Sequence, residues 1–257
     1  MYLSLPGNLI DDDLISILIK GLVLNKTISQ LDLSHNKISN SGARKIAKFL
    51  ISTQVLTHLS LADNQIHYEG SRYLAQALKM NKILKHLSLK LNRLDDKAGQ
   101  KLCIDLHNND SCLESLSLSS NSLGHMFCEQ LAEFLTKNKS LKCLDISCNF
   151  IDDSNIGTLK DSLKEHPNII DVDVRNNKLS EETEEEINEI ITKNLLASKN
   201  IPYMKLGEYS AGGGPEDKKD DAAAGGDKQP AKEAEKVAEP QTATAAADGG
   251  DGDDAQE

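Results

Sequence analysis

Leucines alternate with polar residues in a short motif that returns along the chain. In Leu31-Asp32-Leu33 the two leucines stand two positions apart, and an asparagine follows three residues after the second leucine. This alternation predicts a short strand whose leucines point to one face and whose middle residue points to the other. The motif occurs seven times, with five spacings of 28 residues and one of 29, and its asparagines are Asn8, Asn36, Asn64, Asn92, Asn121, Asn149 and Asn177.

Apolar residues four positions apart follow every asparagine and predict a helix in each repeat, since this spacing places both on one helix face. The pairs are Leu18/Leu22, Ile46/Leu50, Leu74/Leu78, Leu102/Leu106, Leu131/Leu135, Leu159/Leu163 and Ile187/Ile191. Strand, turn, helix and return loop over 28–29 residues are typical of leucine-rich repeats. The chain therefore resembles an α/β leucine-rich repeat solenoid, a horseshoe of seven repeats over residues 2–194 with parallel strands on the concave face and helices on the convex face.

The repeated asparagine predicts a structural ladder. An amide side chain both donates and accepts hydrogen bonds, so it can satisfy backbone groups that a short strand leaves unpaired. We expect the seven asparagines to form a buried column that joins neighbouring repeats. The single 29-residue spacing predicts an extra residue in the return loop between His107 and Cys112, where insertions cost little stability.

Composition divides the chain into a repeat domain and an acidic tail. From Ala211 onward there are 13 acidic and 5 basic residues and few large apolar side chains, too few to offset the entropy of folding. We therefore predict a leucine-rich repeat domain with a carboxyl-terminal cap at residues 1–206, its last helix capped by Ser180, and a disordered Ala/Gly-rich tail at 207–257. The remainder has 27 acidic and 24 basic residues, a balance that argues against nucleic acid or membranes as partners.

Motifs that carry chemistry are missing from the sequence. It contains no Gly-rich phosphate loop, zinc-protease motif or nucleophile elbow, so we predict no enzyme activity, cofactor, metal or small-molecule substrate. Five cysteines scattered through the repeats favour reduced thiols in the cytosol, and Cys103 is expected in the core. The apolar run from Leu14 to Leu24 is about half the length needed to span a bilayer, which predicts a soluble protein.

Two histidines are candidates for contact with a partner. His58 and His86 stand just ahead of the leucines of the third and fourth strands and are expected to be neighbours, about 5 Å apart across the sheet. A metal site would need a third ligand nearby, but the next residues in this column are Ser115 and Cys143. We therefore expect two solvated imidazoles rather than metal ligands.

Charged residues mark the carboxyl-terminal strands. Asp145, Asp171 and Asp173, with Arg175, are expected to form a patch, and two interpretations are open. The patch could receive a basic segment of a partner, or its charges could keep another strand from pairing with the last one. Lys90, just after the fourth strand, is a further candidate for contact with a partner.

We expect the first repeat to lack the polar cap with which solenoids shield their ends. Its helix has Ile17 at the position that later repeats fill with Lys45, Tyr73, Lys101, Gln130 and Thr158. Leu3, Ile15 and Ile19 are expected to widen this apolar surface, together with Val23 and Leu24. Because large apolar patches mark interfaces, we predict that an upstream domain or another subunit covers the first repeat. The alternative is a first helix that frays or closes over its own edge.

Two stretches resemble one particular family. They are Leu31-Asp32-Leu33-Ser34-His35-Asn36 followed by Ser41-Gly42-Ala43-Arg44, and Leu87-Ser88-Leu89-Lys90-Leu91-Asn92-Arg93-Leu94 followed by Gly99-Gln100-Lys101-Leu102-Cys103. Both are similar to the T-complex-associated testis-expressed one family, in which a basic-Leu-Asn sequence replaces the usual small polar residues of the strand. That family is the leucine-rich repeat subunit of the nexin–dynein regulatory complex. The resemblance covers residues 2–194 and implies a cytoskeletal place in the axoneme of cilia or flagella, among other protein subunits.

The sequence thus favours a non-enzymatic scaffold that holds other proteins in a ciliary assembly and supports motility. One alternative is a cytosolic regulator that binds a single protein on its concave face, in the manner of ribonuclease-inhibitor-like proteins. The other is a GTPase-activating protein similar to those of the small GTPase Ran, which also carry an acidic tail. An activator that supplies an arginine needs it on a loop, and Arg93 is the only arginine in a predicted loop.

Overall fold

The strands form one parallel sheet. The structure, a computed structural model, describes residues 1–107 and 112–200. Over these residues seven strands lie side by side in chain order: β1 (Tyr2–Ser4), β2 (Gln30–Asp32), β3 (His58–Ser60), β4 (His86–Ser88), β5 (Ser115–Ser117), β6 (Cys143–Asp145) and β7 (Asp171–Asp173). Their register follows the repeat, since Leu31 lies opposite Leu59 and Leu59 opposite Leu87.

A helix follows every strand within the described residues: α1 (Asp12–Leu24), α2 (Asn40–Ser52), α3 (Tyr68–Met80), α4 (Asp96–His107), α5 (His125–Lys137), α6 (Ile156–Glu165, after a 3-10 turn at Asp153–Asn155) and α7 (Glu181–Ser198). His86 pairs with Ser115, 29 residues later, so one extra residue lies between β4 and β5. The return loop between His107 and Cys112, to which the sequence assigns it, lies largely outside the described residues and stays a prediction. The Ser180 hydroxyl accepts the N–H of Thr183 at 3.3 Å and caps α7. The α/β leucine-rich repeat solenoid is confirmed.

The core lies between the sheet and the helices. Strand leucines such as Leu31 and helix residues such as Ile46 are buried, and Cys103 is buried as predicted. The buried stripe of α2 has a further member, Ala43, three residues before the apolar pair. In α1 this member is Ile15, which is fully buried. The expectation that Ile15 widens an exposed surface was therefore wrong, because the core-facing stripe begins one turn earlier than the pairs alone indicate.

Successive helices are also joined at their amino-terminal ends. Asp12, in the first turn of α1, accepts the N–H groups of Ser39 and Gly42 at 2.9 Å each. A Cβ atom on Gly42 would overlap the Asp12 carboxylate, so glycine permits this close approach. In the same way, Asn40 accepts N–H groups at the start of α3, and Asp96 accepts N–H groups at the start of α5. The starts of α2, α3 and α5 thus receive acceptors from the helix before each of them, which satisfies amides that a helix leaves unpaired.

Several sequence predictions concern residues outside the described part of the chain. The domain boundary at 206 and the disordered tail at 207–257 lie there, so both stay predictions. Within the described residues, no helix has the length and apolar character required to cross a membrane.

Candidate protein-binding surfaces

The asparagine ladder gives the concave face a fixed frame. Asn92 is buried, and its Nδ2 donates to the carbonyl of Leu61 in the preceding repeat at 2.9 Å and to that of Leu89 at 3.1 Å. Its Oδ1 accepts the N–H of Ile66, again in the preceding repeat, at 3.0 Å. Equivalent bonds are made by Asn36, Asn64, Asn121, Asn149 and Asn177. The ladder therefore joins adjacent repeats as predicted.

Asn8 departs from the prediction of a buried ladder. It is exposed, and its Nδ2 donates to the carbonyl of Pro6, two residues away in its own turn. Its backbone N–H does bond to Asn36 Oδ1 at 3.0 Å. The side chain stays outside the core because the described chain has no repeat ahead of it whose carbonyl Asn8 could reach.

His58 and His86 form a stacked pair on the concave face. They are register partners in β3 and β4, with ring centroids 4.0 Å apart and ring planes 13° from parallel. Both are half-buried rather than separately solvated, because stacking covers one face of each ring. Burial lowers the pKa of His58, and His86 and Lys85 lower it further. Within the described residues, no cluster of three His, Cys, Asp or Glu side chains could hold a metal ion.

The histidine pair lines a shallow groove of about 340 Å³ that runs across the first five strands. Tyr2 and Asp32 stand at one end, where the tyrosine hydroxyl donates to the carboxylate at 3.3 Å. The remaining polar lining consists of short or uncharged side chains: Gln30, Ser60, Ser88, Ser115 and Ser117. Tyrosine is enriched at protein interfaces, and the serine hydroxyls can both donate and accept hydrogen bonds, so the groove suits an extended protein segment.

Asp145 and Asp173 form hydrogen bonds within the molecule, whereas Asp171 is exposed. Arg175 donates to both oxygens of Asp173, from Nε at 2.9 Å and from Nη2 at 2.6 Å, and this holds the pKa of Asp173 below its usual range. Asp145 accepts from Ser117 at 2.9 Å and from Ser147 at 2.7 Å. These internal bonds favour the interpretation that the charges protect the sheet edge.

A charged cluster at the amino-terminal rim of the concave face was missed by sequence reasoning. Glu114 lies between Lys85 and Lys142, with carboxylate-to-ammonium distances of 2.8 and 2.7 Å. Hydrogen bonds from Lys142 and then Lys85 lower the pKa of Glu114 to about 2. The three residues each stand directly before a strand, and this shared position was the signal that could have found the cluster. Lys90 is exposed at the opposite rim.

A second polar position that the sequence reading missed follows the helices. Asn81, after α3, accepts the N–H groups of Ile83 and Leu84 at 2.8 and 2.7 Å. His166 replaces it after α6, and its Nδ1 accepts the N–H groups of Asn168 and Ile169. His166 is buried, its Nε2 has no hydrogen-bond partner in the described chain, and burial lowers its pKa to about 4.

The first repeat carries most of the exposed apolar surface. Of the twelve large apolar side chains exposed in the described residues, seven lie in the first 24 residues: Met1, Tyr2, Leu9, Leu14, Ile17, Val23 and Leu24. Ile17 is 65% exposed and Leu24 is 80% exposed, while Leu3 and Ile19 are half-buried. The apolar surface expected there is present, with Leu14 as a member that the sequence reading did not include.

The fold and its repeats define the class of the protein. The family described as Leucine Rich repeat matches residues 24–47, 54–75, 81–103 and 137–154. Together with the observed strand–helix units, these matches show that the chain contains leucine-rich repeats. Regions of this kind are typically non-enzymatic protein-interaction domains. Arg93, the residue on which the GTPase-activation alternative depends, follows Asn92 with an exposed side chain.

Its relatives carry the same kind of repeat. NACHT, LRR and PYD domains-containing protein 9C of Mus musculus is 35% identical over 44% of this chain, and protein 4C of Mus musculus is 40% identical over 29%. Protein 9 of Bos taurus is 41% identical over 26% of the chain. The matches span 11%, 8% and 6% of these relatives, about a tenth of their length or less.

Among solved structures, that of Leiomodin-1 Actin-Binding Site 2 (ABS2) is similar. It is 13% identical with a TM-score of 0.39, over 77% of this chain and 83% of that one. A likeness at this level carries no functional information.

Proposed function

We propose that this leucine-rich repeat protein is a non-enzymatic scaffold that holds other proteins in the nexin–dynein regulatory complex of the axoneme, and so supports ciliary or flagellar motility. The observation that carries the scaffold role is the fixed concave face. The asparagine ladder and the strand register hold its side chains at constant spacing. This face is therefore already ordered before a partner binds, and binding costs it little conformational entropy. The ciliary setting is supported by the stretch around Lys90, Leu91 and Asn92, which resembles the T-complex-associated testis-expressed one family.

The groove around His58 and His86 supplies the contact chemistry of this proposal. Stacked imidazoles, a tyrosine hydroxyl and serine hydroxyls can meet both apolar and hydrogen-bonding groups of a partner. Burial lowers the pKa of His58, which favours the uncharged form of this ring near neutral pH. A protein segment without strong net charge therefore fits this surface better than an acidic one.

Fractionation of ciliated cells tests the proposal. The chain should resist detergent extraction and remain with the axonemes, in the cytoskeletal part of the cytoplasm. Ser60→Arg with Ser88→Arg fills the groove with bulk and charge and should release the protein into the soluble fraction. Gln76→Arg with Thr136→Arg adds the same charge at exposed helix positions and should leave it bound. A wild-type chain found wholly in the soluble pool overturns the axonemal role.

A second candidate function is a cytosolic regulator that binds one protein on the concave face. The similarity to NACHT, LRR and PYD domains-containing proteins favours it, because the matched segments come from proteins named for domains of this kind. A soluble one-to-one complex that Ser60→Arg with Ser88→Arg disrupts, in cells without cilia, would support this function over the axonemal one.

A further inference from the structure

Helix α1 has an apolar stripe on the side that faces away from the rest of the repeats. Leu14, Ile17, Gly21 and Leu24 stand three, four and three positions apart, so they follow one face of the helix. All four are exposed. The opposite side of α1 already packs toward α2, where Ile19 and other residues line a groove with Lys45 and Phe49. The stripe therefore has no neighbour within the described chain.

Opposite charges flank the stripe at its two ends. Asp13, at the amino-terminal end, has a side chain that is 98% exposed, and Lys45 is its nearest cation at 3.7 Å. Lys26 lies just beyond the carboxyl-terminal end of the helix, and Lys20 stands one residue before Gly21; both are exposed. Neither lysine makes an ion pair within residues 1–107 and 112–200. The end surface is thus acidic at one end, apolar in the middle and basic at the other end.

Gly21 stands in the middle of the stripe. A Cβ atom added there would meet nothing within 4 Å, so packing within the repeat does not require glycine. Glycine in a helix interior is unfavourable relative to alanine. Its use is explained if another backbone approaches the helix closely at this position.

We propose that α1 binds α1 of a second copy of this chain in an antiparallel pair. In this orientation Asp13 lies beside Lys26 of the partner subunit, whereas a parallel pair would bring two aspartates together. The antiparallel pair also aligns the helix dipoles favourably and removes both apolar stripes from water. Because the same surface is used on both copies, the contact closes as a dimer. This surface is separate from the concave face and does not depend on the proposed function.

Sedimentation velocity of the full chain across a range of concentrations tests the dimer. Gly21→Gln blocks the close approach while it improves helix propensity, so it should raise the dimer dissociation constant at least about tenfold without loss of folding. Gly157→Gln in α6 is the matched control, since Gly157 is also exposed, helical and surrounded by open space. That control should leave the dissociation constant unchanged.

Charge exchange tests the orientation. Asp13→Lys in one chain and Lys20→Asp with Lys26→Asp in another should each weaken self-association at low salt, and mixing the two should give a heterodimer. An unmodified chain that stays monomeric at every concentration overturns the proposal, as does a Gly21→Gln dimer of unchanged affinity or a mixture that fails to pair. A monomer that still remains with axonemes would overturn the dimer alone and leave the scaffold proposal standing.

Discussion

Asn92 reaches back across the repeat boundary to the carbonyl of Leu61, with a distance of 2.9 Å between the amide nitrogen and the oxygen. Both residues are buried. Water therefore does not satisfy these groups, and the carboxamide is what pairs them. Because this bond is repeated along the chain, buried polar groups of one repeat find their hydrogen-bond partners in the next repeat.

Asn92→Ala should lower the free energy of unfolding by about 1–3 kcal/mol, because it leaves buried backbone groups without partners. Urea denaturation measures this change. Ser122→Ala removes an exposed side chain and should have little effect, and Asn8→Ala should also be mild because Asn8 is exposed. An Asn92→Ala midpoint equal to that of Ser122→Ala would contradict the role of the ladder.

His166 should make the stability of the protein depend on pH. The pKa of His166 is about 4 in the folded chain, whereas the ordinary value for histidine is 6.5. As pH falls from 6.5 toward 4, the unfolded chain takes up a proton that the folded chain does not, so the free energy of unfolding falls, by about 1–3 kcal/mol in all. His166→Asn keeps the acceptor that Asn81 supplies in its repeat, and should remove this part of the pH dependence.

Urea titrations at several pH values between 4 and 7 provide the comparison. His125→Asn changes an exposed histidine and serves as the control. If the two variants and the unmodified chain lose stability equally across this window, His166 is not the group responsible.

Replacing Leu91 with a residue that tolerates its backbone conformation should stabilise the folded protein. The φ of Leu91 is 53°, in the left-handed region, and its side chain is 45% exposed. The equivalent residue of the first repeat is Gly7, which also has a positive φ. Leu91→Asn should raise the free energy of unfolding by about 0.5–1 kcal/mol, since asparagine tolerates this conformation. Leu91→Ala removes the side chain but keeps the strain, so thermal unfolding that shows equal gains for both variants would contradict the explanation.

The groove variants should separate binding from folding. Ser60→Arg with Ser88→Arg places two long charged side chains where half-buried serines face outward from β3 and β4. Melting temperature should change little, because surface substitutions of this kind are usually within about 0.5 kcal/mol. Retention on isolated axonemes should fall. If the melting temperature falls sharply as well, unfolding rather than loss of groove contacts explains the release.

The repeat period was enough to predict the order and approximate position of every described strand and helix, because each leucine and asparagine has the same environment in successive repeats. It failed at the ends, where that environment changes. Asn8 has the motif but no preceding repeat in the described chain to bond, and Ile15 was assigned to the surface because the pairs hid the third buried position. The interactions among Lys85, Glu114 and Lys142 depend on neighbours 28 to 29 residues apart, which periodicity of apolar residues does not report.

Crosslinking within isolated axonemes tests the central claim, that a fixed concave face holds other proteins. Lys90 lies at the rim of this face, whereas Lys48 and Lys97 are exposed on the helices α2 and α4. A lysine-reactive crosslinker should join Lys90 to other axonemal proteins, and Ser60→Arg with Ser88→Arg should abolish those links. Links to other proteins that come from Lys48 and Lys97 alone, with Lys90 unlinked in the wild-type chain, would contradict the account.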